Sequence, residues 1–258
     1  MKDYSKTAGV KVSLNNFKLM FDPEIYPVEQ QAREYTDALD VYLDKSSYKQ
    51  ILYWMYRYFE DIKDRSFFDK HQVEYDLTVI KNGAIGGEYI KTVGHYHSNL
   101  RGKEISYPEV YEVLEGKIEY ILQTKPAKDG KVDVIIVQTE PGDKVIVPPN
   151  YGHVSVNKGE SVALSANIQK SDLPLSADYE TFKKYDGAAV FITTDGVKNN
   201  EHYKINKIRT VKPAQKPEFG LTKEKSLYDS FLEMPDKFDF LLHPEKYDFS
   251  DIFEDATL

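Results

Sequence analysis

The part of the chain that most limits its fold is residues 72–170, where short runs of alternating apolar and polar residues follow one another. Turn dipeptides separate the runs: Asn-Gly, Asp-Gly, Pro-Gly and Lys-Gly. Alternation with a period of two is typical of half-buried strands, and glycine-containing pairs at short spacing are typical of hairpins. The strand–long helix rhythm of a parallel α/β sheet is missing. We therefore expect an antiparallel sandwich or barrel, with a further strand at AAVFITT (188–194).

The residues before this stretch have a different pattern, which predicts helices. In SYKQILYWMYRYF (47–59) apolar residues recur at helical spacing, and Ser46 or Ser47 can serve as the N-cap. A short helix is also expected near Glu29–Ala38, between extended arms. The N-terminal region is therefore interpreted as a helical extension that packs on the β region.

The residues after Asn199 are polar and rich in lysine. A short helix is expected over 222–233, with Thr222 as its cap and Pro235 as its stop. The last residues of the chain mix Phe, Leu and Tyr with acidic residues. We expect this C-terminal segment to pack on the barrel.

Composition and charge exclude several classes of protein. The chain has 258 residues, with 34 Lys+Arg against 42 Asp+Glu, and its formal net charge of −8 does not provide the basic surface of a general nucleic-acid binder. No apolar run approaches the length of a membrane span, and the first residues contain no secretory signal. We therefore expect a cytoplasmic protein. Because the chain has no cysteine, its metal or catalytic chemistry must use His, carboxylates, Tyr or Lys.

Tyrosine is unusually frequent, since 20 Tyr and 13 Phe accompany a single Trp. One explanation is a β-rich core with tyrosines at its rims, because the Tyr ring is apolar and its hydroxyl is polar. The other explanation is a pocket whose Tyr hydroxyls bind a polar ligand such as a sugar. Composition alone does not decide between them.

Three of the six histidines form a pattern that favours a metal site. His95 and His97 form an H-x-H pair on a predicted strand, where alternation points both side chains to the same face. His153, in GDKVIVPPNYGHVSVN, begins another strand and can approach the same interior point. Converging imidazoles are typical of a divalent metal site. The remaining histidines lie in no motif and are expected to be structural or exposed: His71, His202 and His243.

A carboxylate is expected to complete this set, because three neutral imidazoles leave the charge of a divalent cation uncompensated. Glu104 and Glu109 are the candidates. We prefer Glu109 because Gly116 closes its strand with a turn, which places Glu109 and Tyr111 on one face and Glu112 on the other. Glu104 lies in the loop SNLRGKEISYP and is expected to be a solvated charge.

These motifs resemble those of a known family. The combination of HxH…E(x6)G with G(x5)P(x4)H(x3)N resembles the paired signature of the cupin barrel. Within cupins, TVGHYH, PEVYEVLEG and VPPNYGH are similar to the cupin-type glucose-6-phosphate isomerases of archaea and some bacteria. The resemblance implies an all-β core: a cupin barrel (a double-stranded β-helix or jelly roll) at 71–198, with an N-terminal helical extension at 1–70 and a C-terminal extension at 199–258.

The resemblance also implies a metal site and a catalytic site. His95, His97, Glu109 and His153 would bind one divalent metal ion, and Fe²⁺, Mn²⁺, Zn²⁺, Ni²⁺ and Co²⁺ all accept such a set. The implied catalytic residues are Glu109, Tyr111 and His153.

The substrate implied by the resemblance is a small sugar phosphate, with no nucleic acid or membrane as partner. The implied substrate-binding residues are Thr78, Thr92, Gly94 and Tyr179. Lys91 or Arg101 could add the positive charge that a phosphate group needs. The resemblance further implies a homodimer.

The activity implied is metal-dependent interconversion of glucose 6-phosphate and fructose 6-phosphate. Hydrogen can move between C1 and C2 through a base, or by a metal-assisted hydride shift, and the sequence does not decide between them. Two other functions stay open. One is a cupin dioxygenase, because three His and one Glu around Fe²⁺ can also activate oxygen. The other is a non-catalytic cupin that binds a sugar.

Overall fold

The computed structural model describes residues 1–26, 28–46 and 49–256. The strands in chain order are β1 (Lys2–Asp3), β2 (Val12–Asn15), β3 (Lys18–Phe21), β4 (Glu29–Glu34), β5 (Ile51–Arg57), β6 (Val73–Ile80), β7 (Ala84–Ile85), β8 (Glu88–Tyr89), β9 (Glu109–Glu115), β10 (Ile118–Thr124), β11 (Lys131–Gln138), β12 (Lys144–Val147), β13 (Tyr151–Asn157), β14 (Ala163–Lys170), β15 (Val190–Thr193), β16 (Gly196–Asn199), β17 (Lys204–Pro213) and β18 (Phe253–Asp255). The α-helices are α1 (Ser5–Ala8), α2 (Tyr35–Ala38), α3 (Arg65–Lys70), α4 (Glu180–Lys184) and α5 (Leu227–Glu233). Short 3₁₀ helices cover Leu39–Val41, Leu173–Ser176, Pro217–Phe219, Pro235–Leu241 and Pro244–Lys246.

Two large sheets form the barrel. One has the strand order β12-β9-β14-β6-β5-β4 and the other β13-β10-β11-β17-β18. Residues 90–97 run beside β13, where backbone hydrogen bonds join Thr92 to Ser155 and His95 to His153. The sheets enclose one buried apolar cluster. The predicted all-β jelly-roll barrel is therefore confirmed, and the strand expected at 188–194 is present as β15.

Apart from its edge strand β4, the six-stranded sheet is buried on both faces, and its two faces differ in chemistry. In β6, Tyr75 and Leu77 belong to an apolar cluster outside the barrel. The alternate residues Glu74, Asp76 and Thr78 are also buried, but on the inner face. Strand alternation thus separates a packing surface from a polar interior.

The C-terminal extension covers the outer face of this sheet. Phe231 and Phe238 pack edge to face, with ring centroids 5.4 Å apart, in the same apolar cluster as Leu77. The expected packing of the C-terminal segment is therefore confirmed. Its helix begins at Leu227 rather than at Thr222, because Ser226 Oγ accepts the Asp229 N–H at 3.0 Å as the N-cap. No helix in the described ranges is long and apolar enough to cross a membrane.

The helix predicted over 47–59 is wrong, because residues 51–57 form the strand β5. Tyr53 and Met55 pack in the barrel interior, whereas Trp54 and Tyr56 pack in the outer cluster. A strand that is apolar on both faces has no clear period of two, so helical spacing fits it equally well. The Ile, Tyr and Trp content is the signal that favours a strand.

The helix expected near Glu29–Ala38 is also wrong for most of its length. The strand β4 occupies Glu29–Glu34, and only the short helix α2 follows it. The Ser47 cap lies outside the described residues. Because β4 and β5 pair into one barrel sheet and β17 and β18 into the other, strands on both sides of 71–198 contribute to the barrel. The three-part division of the chain stays a proposal.

Candidate metal centre

Four side chains converge inside the barrel. His95, His97, Glu109 and His153 each offer one ligand atom, and these atoms lie within 4.8 Å of one another. Glu109 Oε2 is 3.2 Å from His153 Nε2 and 3.3 Å from His97 Nε2. His97 Nε2 is 3.2 Å from His95 Nε2. The H-x-H pair, the third histidine and the preferred carboxylate thus meet at one point.

The backbone holds two of these histidines opposite each other. His95 and His153 form an antiparallel bridge, in which each N–H donates to the other's carbonyl oxygen at 3.3 and 3.1 Å. Gly94, just before His95, has φ of 85°, and a Cβ there would lie 2.6 Å from Val154 Cγ2. Only glycine adopts this backbone conformation and this close contact with Val154 without strain. The barrel therefore requires a glycine directly before His95.

The donor set fits a divalent cation. His97 Nδ1 lies 2.9 Å from the carbonyl oxygen of Tyr107, which requires its proton there and directs Nε2 towards the other ligands. Glu109 Oε2 is buried and has no hydrogen-bond partner in the described part of the chain. Imidazole nitrogens and a carboxylate oxygen that converge on one buried point are a suitable ligand set for a divalent transition metal.

The electrostatics keep these groups in the protonation states that bind metal. Burial lowers the pKa of His95 and of His153, so both rings are neutral at neutral pH. Burial alone would raise the pKa of Glu109, but the adjacent His153 and His97 rings outweigh it and lower that pKa overall. Neutral imidazoles beside an ionised carboxylate are the forms that coordinate a cation.

Two tyrosines border the centre. Tyr111 Oη lies 3.0 Å from His153 Nε2, and burial, followed by the Glu109 charge, raises the pKa of this phenol well above its ordinary value. The Tyr179 ring lies over His95, with centroids 5.0 Å apart. Tyr111 therefore keeps its proton in the metal-free protein.

A cavity of about 510 Å³ of empty space, its mouth included, opens from this centre. It brings together most of the residues that the sequence singles out: Thr78, Thr92, Gly94, His95, Glu109, Tyr111, His153 and Tyr179. Of the predicted site residues, His97 does not line the cavity and is buried behind it. Tyrosines occur in both the core and the cavity: Tyr35 and Tyr42 are wholly buried in the core rather than at its rims, and Tyr111 lines the cavity.

The other candidates from the sequence lie elsewhere. Glu104 is exposed, as expected, and Glu112 points out of the barrel to Lys144 Nζ, 2.9 Å away. Lys91 does not supply charge to the cavity, because it is buried against Glu88 at 2.6 Å. Arg101 is exposed on a loop and does not line the cavity.

Sequence reasoning missed one group of cavity residues, which come from β5, β13 and β14. They are Tyr53, Met55, Arg57, Ser155, Ser165, Asn167 and Gln169. The signal that could have found those on β5 is their spacing of two, which the helical interpretation of 47–59 hid. Those on β14 follow the same alternation in ALSANIQK.

Comparisons with known proteins agree with this site. Residues 32–209 match the family model described as "Glucose-6-phosphate isomerase (GPI)". The glucose-6-phosphate isomerase of Thermococcus litoralis is 26% identical over 199 residues, which are 73% of this chain and 95% of that protein. That of Pyrococcus furiosus is 26% identical over 200 residues, 75% of this chain and 93% of that protein.

Among solved structures, an oxalate decarboxylase of Bacillus subtilis matches 47% of this chain and 26% of its own, at 21% identity and a TM-score of 0.33. That overlap is too limited to add to the comparison. The family model alone covers well over half of the chain, and it includes all four candidate metal ligands. The chain belongs to the glucose-6-phosphate isomerase family, in its cupin-barrel form.

Proposed function

We propose that this chain is a metal-dependent aldose–ketose isomerase that interconverts glucose 6-phosphate and fructose 6-phosphate. The observation that carries the proposal is the convergence of His95, His97, Glu109 and His153 on a cavity, in a member of that family. The relatives named glucose-6-phosphate isomerase support the substrate.

The metal ion would be held by these four residues. A divalent cation bound there supplies a Lewis acid for the carbonyl and hydroxyl oxygens of the open-chain sugar. The protein's own contribution is to present neutral imidazoles and one carboxylate, and to enclose them in a buried site. The ligand set accepts Fe²⁺, Mn²⁺, Zn²⁺, Ni²⁺ and Co²⁺, and availability selects among them.

The phosphate group would bind at Thr78, Thr92 and Gly94. The Gly94 N–H makes no hydrogen bond to another described residue, so it is available as a donor. Thr92 Oγ1 accepts the Ser155 N–H at 2.9 Å and keeps its own proton for a ligand. A hydroxyl and a backbone N–H of residues that line one cavity are donors of the kind that bind phosphate oxygens.

Two routes for the hydrogen between C1 and C2 remain open. Glu109 is a weak base because its pKa is lowered, and Tyr111 holds its proton because its pKa is raised. The reaction in deuterated water tests the routes: deuterium at C1 or C2 of the product requires abstraction, whereas complete retention of the substrate hydrogen is the result expected from the shift.

The decisive test is metal-dependent turnover. The purified protein is stripped with a chelator, each divalent metal is restored, and the interconversion of the two sugar phosphates is assayed. His95→Ala should stay inactive with every metal, whereas the matched control His202→Ala, at an exposed histidine paired with Asp186, should behave as wild type.

Failure of this test would redirect the function. A wild-type protein that binds one metal ion but turns over neither sugar phosphate is not the proposed isomerase. Consumption of oxygen by the iron-loaded protein would then indicate a dioxygenase. Sugar binding without any turnover would indicate a non-catalytic cupin.

We propose further that the protein is a homodimer and that it acts in the cytoplasm. Strand β4 supports a dimer, because it is the open edge of the six-stranded sheet and its residues are exposed or half-buried. The proposed substrate supports the compartment, because a charged sugar phosphate does not cross membranes unaided. Light scattering coupled to gel filtration measures the mass, and a fluorescent fusion locates the protein.

A further inference from the structure

Among the described residues that line the cavity, one carries a permanent positive charge, and it is Arg57. It lies at the end of β5, and its side chain is 14% exposed. Burial opposes its charge, but the neighbouring Asp76 outweighs this and raises the pKa of Arg57, so the cation is permanent. The mechanism above does not use it.

Asp76 fixes the position of this cation. Its Oδ2 lies 2.5 Å from Arg57 Nη1, and its Oδ1 accepts the Tyr58 N–H at 2.9 Å. Gln169 and Asn167 donate to Oδ2 at 3.2 and 3.4 Å. Because both oxygens are occupied by the protein, Asp76 is a positioning residue for Arg57 and leaves no oxygen free for a ligand.

The rest of the guanidinium is available to a ligand. Arg57 Nη2 contacts only Met55 Sδ, at 3.6 Å, which is a weak acceptor. In the described part of the chain, no oxygen other than those of Asp76 accepts from this side chain. The fork of N–H donors that suits a phosphate is thus partly unused inside the cavity.

The register of the sheet directs this fork towards the proposed phosphate site. Met55 lies directly opposite Thr78 across the β5–β6 pair. Arg57, two residues further along the same face, is the diagonal neighbour of Thr78, at a separation that a long side chain spans. The Nη2–Met55 contact shows that the guanidinium leans along β5 in the direction of Thr78.

The charge of the substrate requires such a group. A phosphate monoester carries about −1.5 to −2 charge at neutral pH. Thr78, Thr92 and Gly94 offer neutral donors, and Lys91 is already paired with Glu88. A buried dianion without a cation is costly, so a phosphate subsite built from these neutral donors alone is incomplete.

We propose that Arg57, positioned by Asp76, is the cationic part of the phosphate subsite and makes the enzyme select phosphorylated sugars over free sugars. The inference rests on the proposed function, because it names the residue that recognises the phosphate group of the proposed substrate. It predicts that Arg57 contributes to substrate binding rather than to the reacting carbons.

The test separates binding from turnover. The metal-loaded wild type and variants are compared by the KM and kcat for fructose 6-phosphate, and by the Kd for sorbitol 6-phosphate, a phosphorylated polyol that cannot isomerise. Arg57→Met should raise KM and Kd about 10- to 100-fold, the loss expected for a charge-assisted hydrogen bond, and leave kcat within about threefold. Arg57→Lys should lose less, because it keeps the charge without the fork.

Controls keep the test decisive if Arg57→Met does not fold. In an Asp76→Asn background, Arg57→Met leaves no uncompensated buried carboxylate, so the comparison is Asp76→Asn against the double variant. Arg101→Met, at the exposed arginine outside the cavity, should change nothing. Metal content and Tm are measured for each variant, to exclude a general loss of structure.

Two outcomes would overturn the inference. If kcat falls while KM and Kd stay constant, Arg57 acts at the reacting carbons. If no parameter moves, Arg57 only stabilises Asp76. Failure of the proposed function is distinct, because it would appear as a wild type without turnover under any metal, whereas the Kd for sorbitol 6-phosphate needs no turnover.

Discussion

Apart from its edge strand β4, the six-stranded sheet is buried on both faces, but the two faces differ in chemistry and in role. On the outer face, Tyr75, Leu77 and Val110 pack under the C-terminal extension in one apolar cluster. On the inner face, the same strands present Glu74 and Asp76, buried but polar, together with Glu109 and Tyr111. Each strand therefore serves both faces, with successive residues assigned to one or the other.

The contrast separates stability from function. Burial of large apolar side chains on the outer face stabilises the fold, because each removes a large apolar area from water. Burial of carboxylates on the inner face costs free energy unless they are paired. On the inner face, Glu109 converges with the candidate metal ligands and Asp76 positions Arg57, so mutations on the two faces should affect different measurements.

The largest contrast is expected from two glutamates of β9 that point to opposite faces. Glu109→Gln removes the charged ligand, so metal affinity and activity should fall by more than about a hundred-fold, since even residues that only support metal ligands are worth 10- to 100-fold. The metal-free variant should lose no more than about 1 kcal/mol of unfolding free energy, because one buried charge disappears and the shape is kept. Metal analysis, isomerase assay and urea denaturation measure these quantities.

Glu112→Gln is the matched variant on the outer face. Glu112 accepts from Lys144 Nζ at 2.9 Å and from the Leu227 N–H at 2.6 Å, so it ties the barrel to α5. Its loss should cost about 1–3 kcal/mol of stability and leave metal content unchanged. Loss of metal in both variants would contradict the separation of the two faces.

The next largest effect concerns the apolar packing of the C-terminal extension on the outer face of the six-stranded sheet. Phe231 is 1% exposed and packs against Phe68 and Phe238 at 4.9 and 5.4 Å between ring centroids. Phe231→Ala should lower the unfolding free energy by about 3–5 kcal/mol, through lost burial and the cavity left behind. Activity per folded molecule should not change, since Phe231 does not line the cavity of the metal centre.

Ile62→Ala is the control for this change, because Ile62 is 59% exposed. It should shift the unfolding free energy by no more than about 0.5 kcal/mol. If Phe231→Ala also removed the metal or abolished turnover in the remaining folded protein, the outer face would be part of the site and the contrast would fail.

The sequence predicts most of the barrel and the metal centre for a physical reason. Ligands such as His95 and His97 lie two residues apart, and glycine turns mark the strand ends, so their geometry is local. The prediction that Thr78 and Tyr179 lie near these ligands comes from the family resemblance rather than from a local pattern.

What the sequence did not predict depends on contacts that are distant along the chain. β5 is apolar on both sides only because the outer apolar cluster covers one face and the barrel interior the other, so its period of two disappears. Arg57 was therefore assigned to a helix. The position of Arg57 depends on Asp76, nineteen residues later, and on Asn167 of β14, which donates to Asp76. No local motif indicates either residue.

A smaller effect should come from a buried carboxyl of the inner face. Burial, and then the charge of Asp76, raises the pKa of Glu74 to about 8, from 4.5 for an ordinary Glu. The folded state then binds a proton that the unfolded state releases, so this group stabilises the fold fully below about pH 4.5 and the contribution is lost as pH rises towards 8. The slope cannot exceed about 1.4 kcal/mol per pH unit for one proton.

Glu74→Gln should remove this slope. Urea denaturation of both proteins between pH 5 and pH 8 gives the difference in unfolding free energy, and the wild type should lose stability relative to the variant as the pH rises. The comparison cancels the other titrating groups, including His95 and His153. A difference that is constant with pH would mean that Glu74 is ionised throughout, and that the inner face carries two adjacent charges.

The smallest effect concerns the N-cap of α5, the helix of the C-terminal extension that packs on the outer face. Ser226 Oγ accepts the Asp229 N–H at 3.0 Å at the start of α5, directly before the Leu227 N–H that Glu112 binds. Ser226→Ala should lower the unfolding free energy by about 1 kcal/mol, the usual loss for a serine cap, without altering metal content or KM. Thr222→Ala, at the position that sequence alone assigns as the cap, should cost less than about 0.5 kcal/mol. Equal losses from the two variants would mean that the helix begins earlier than Leu227 in solution. A change in KM with Ser226→Ala would instead show that packing of the C-terminal extension affects the site on the inner face. The two faces would then be coupled rather than separate.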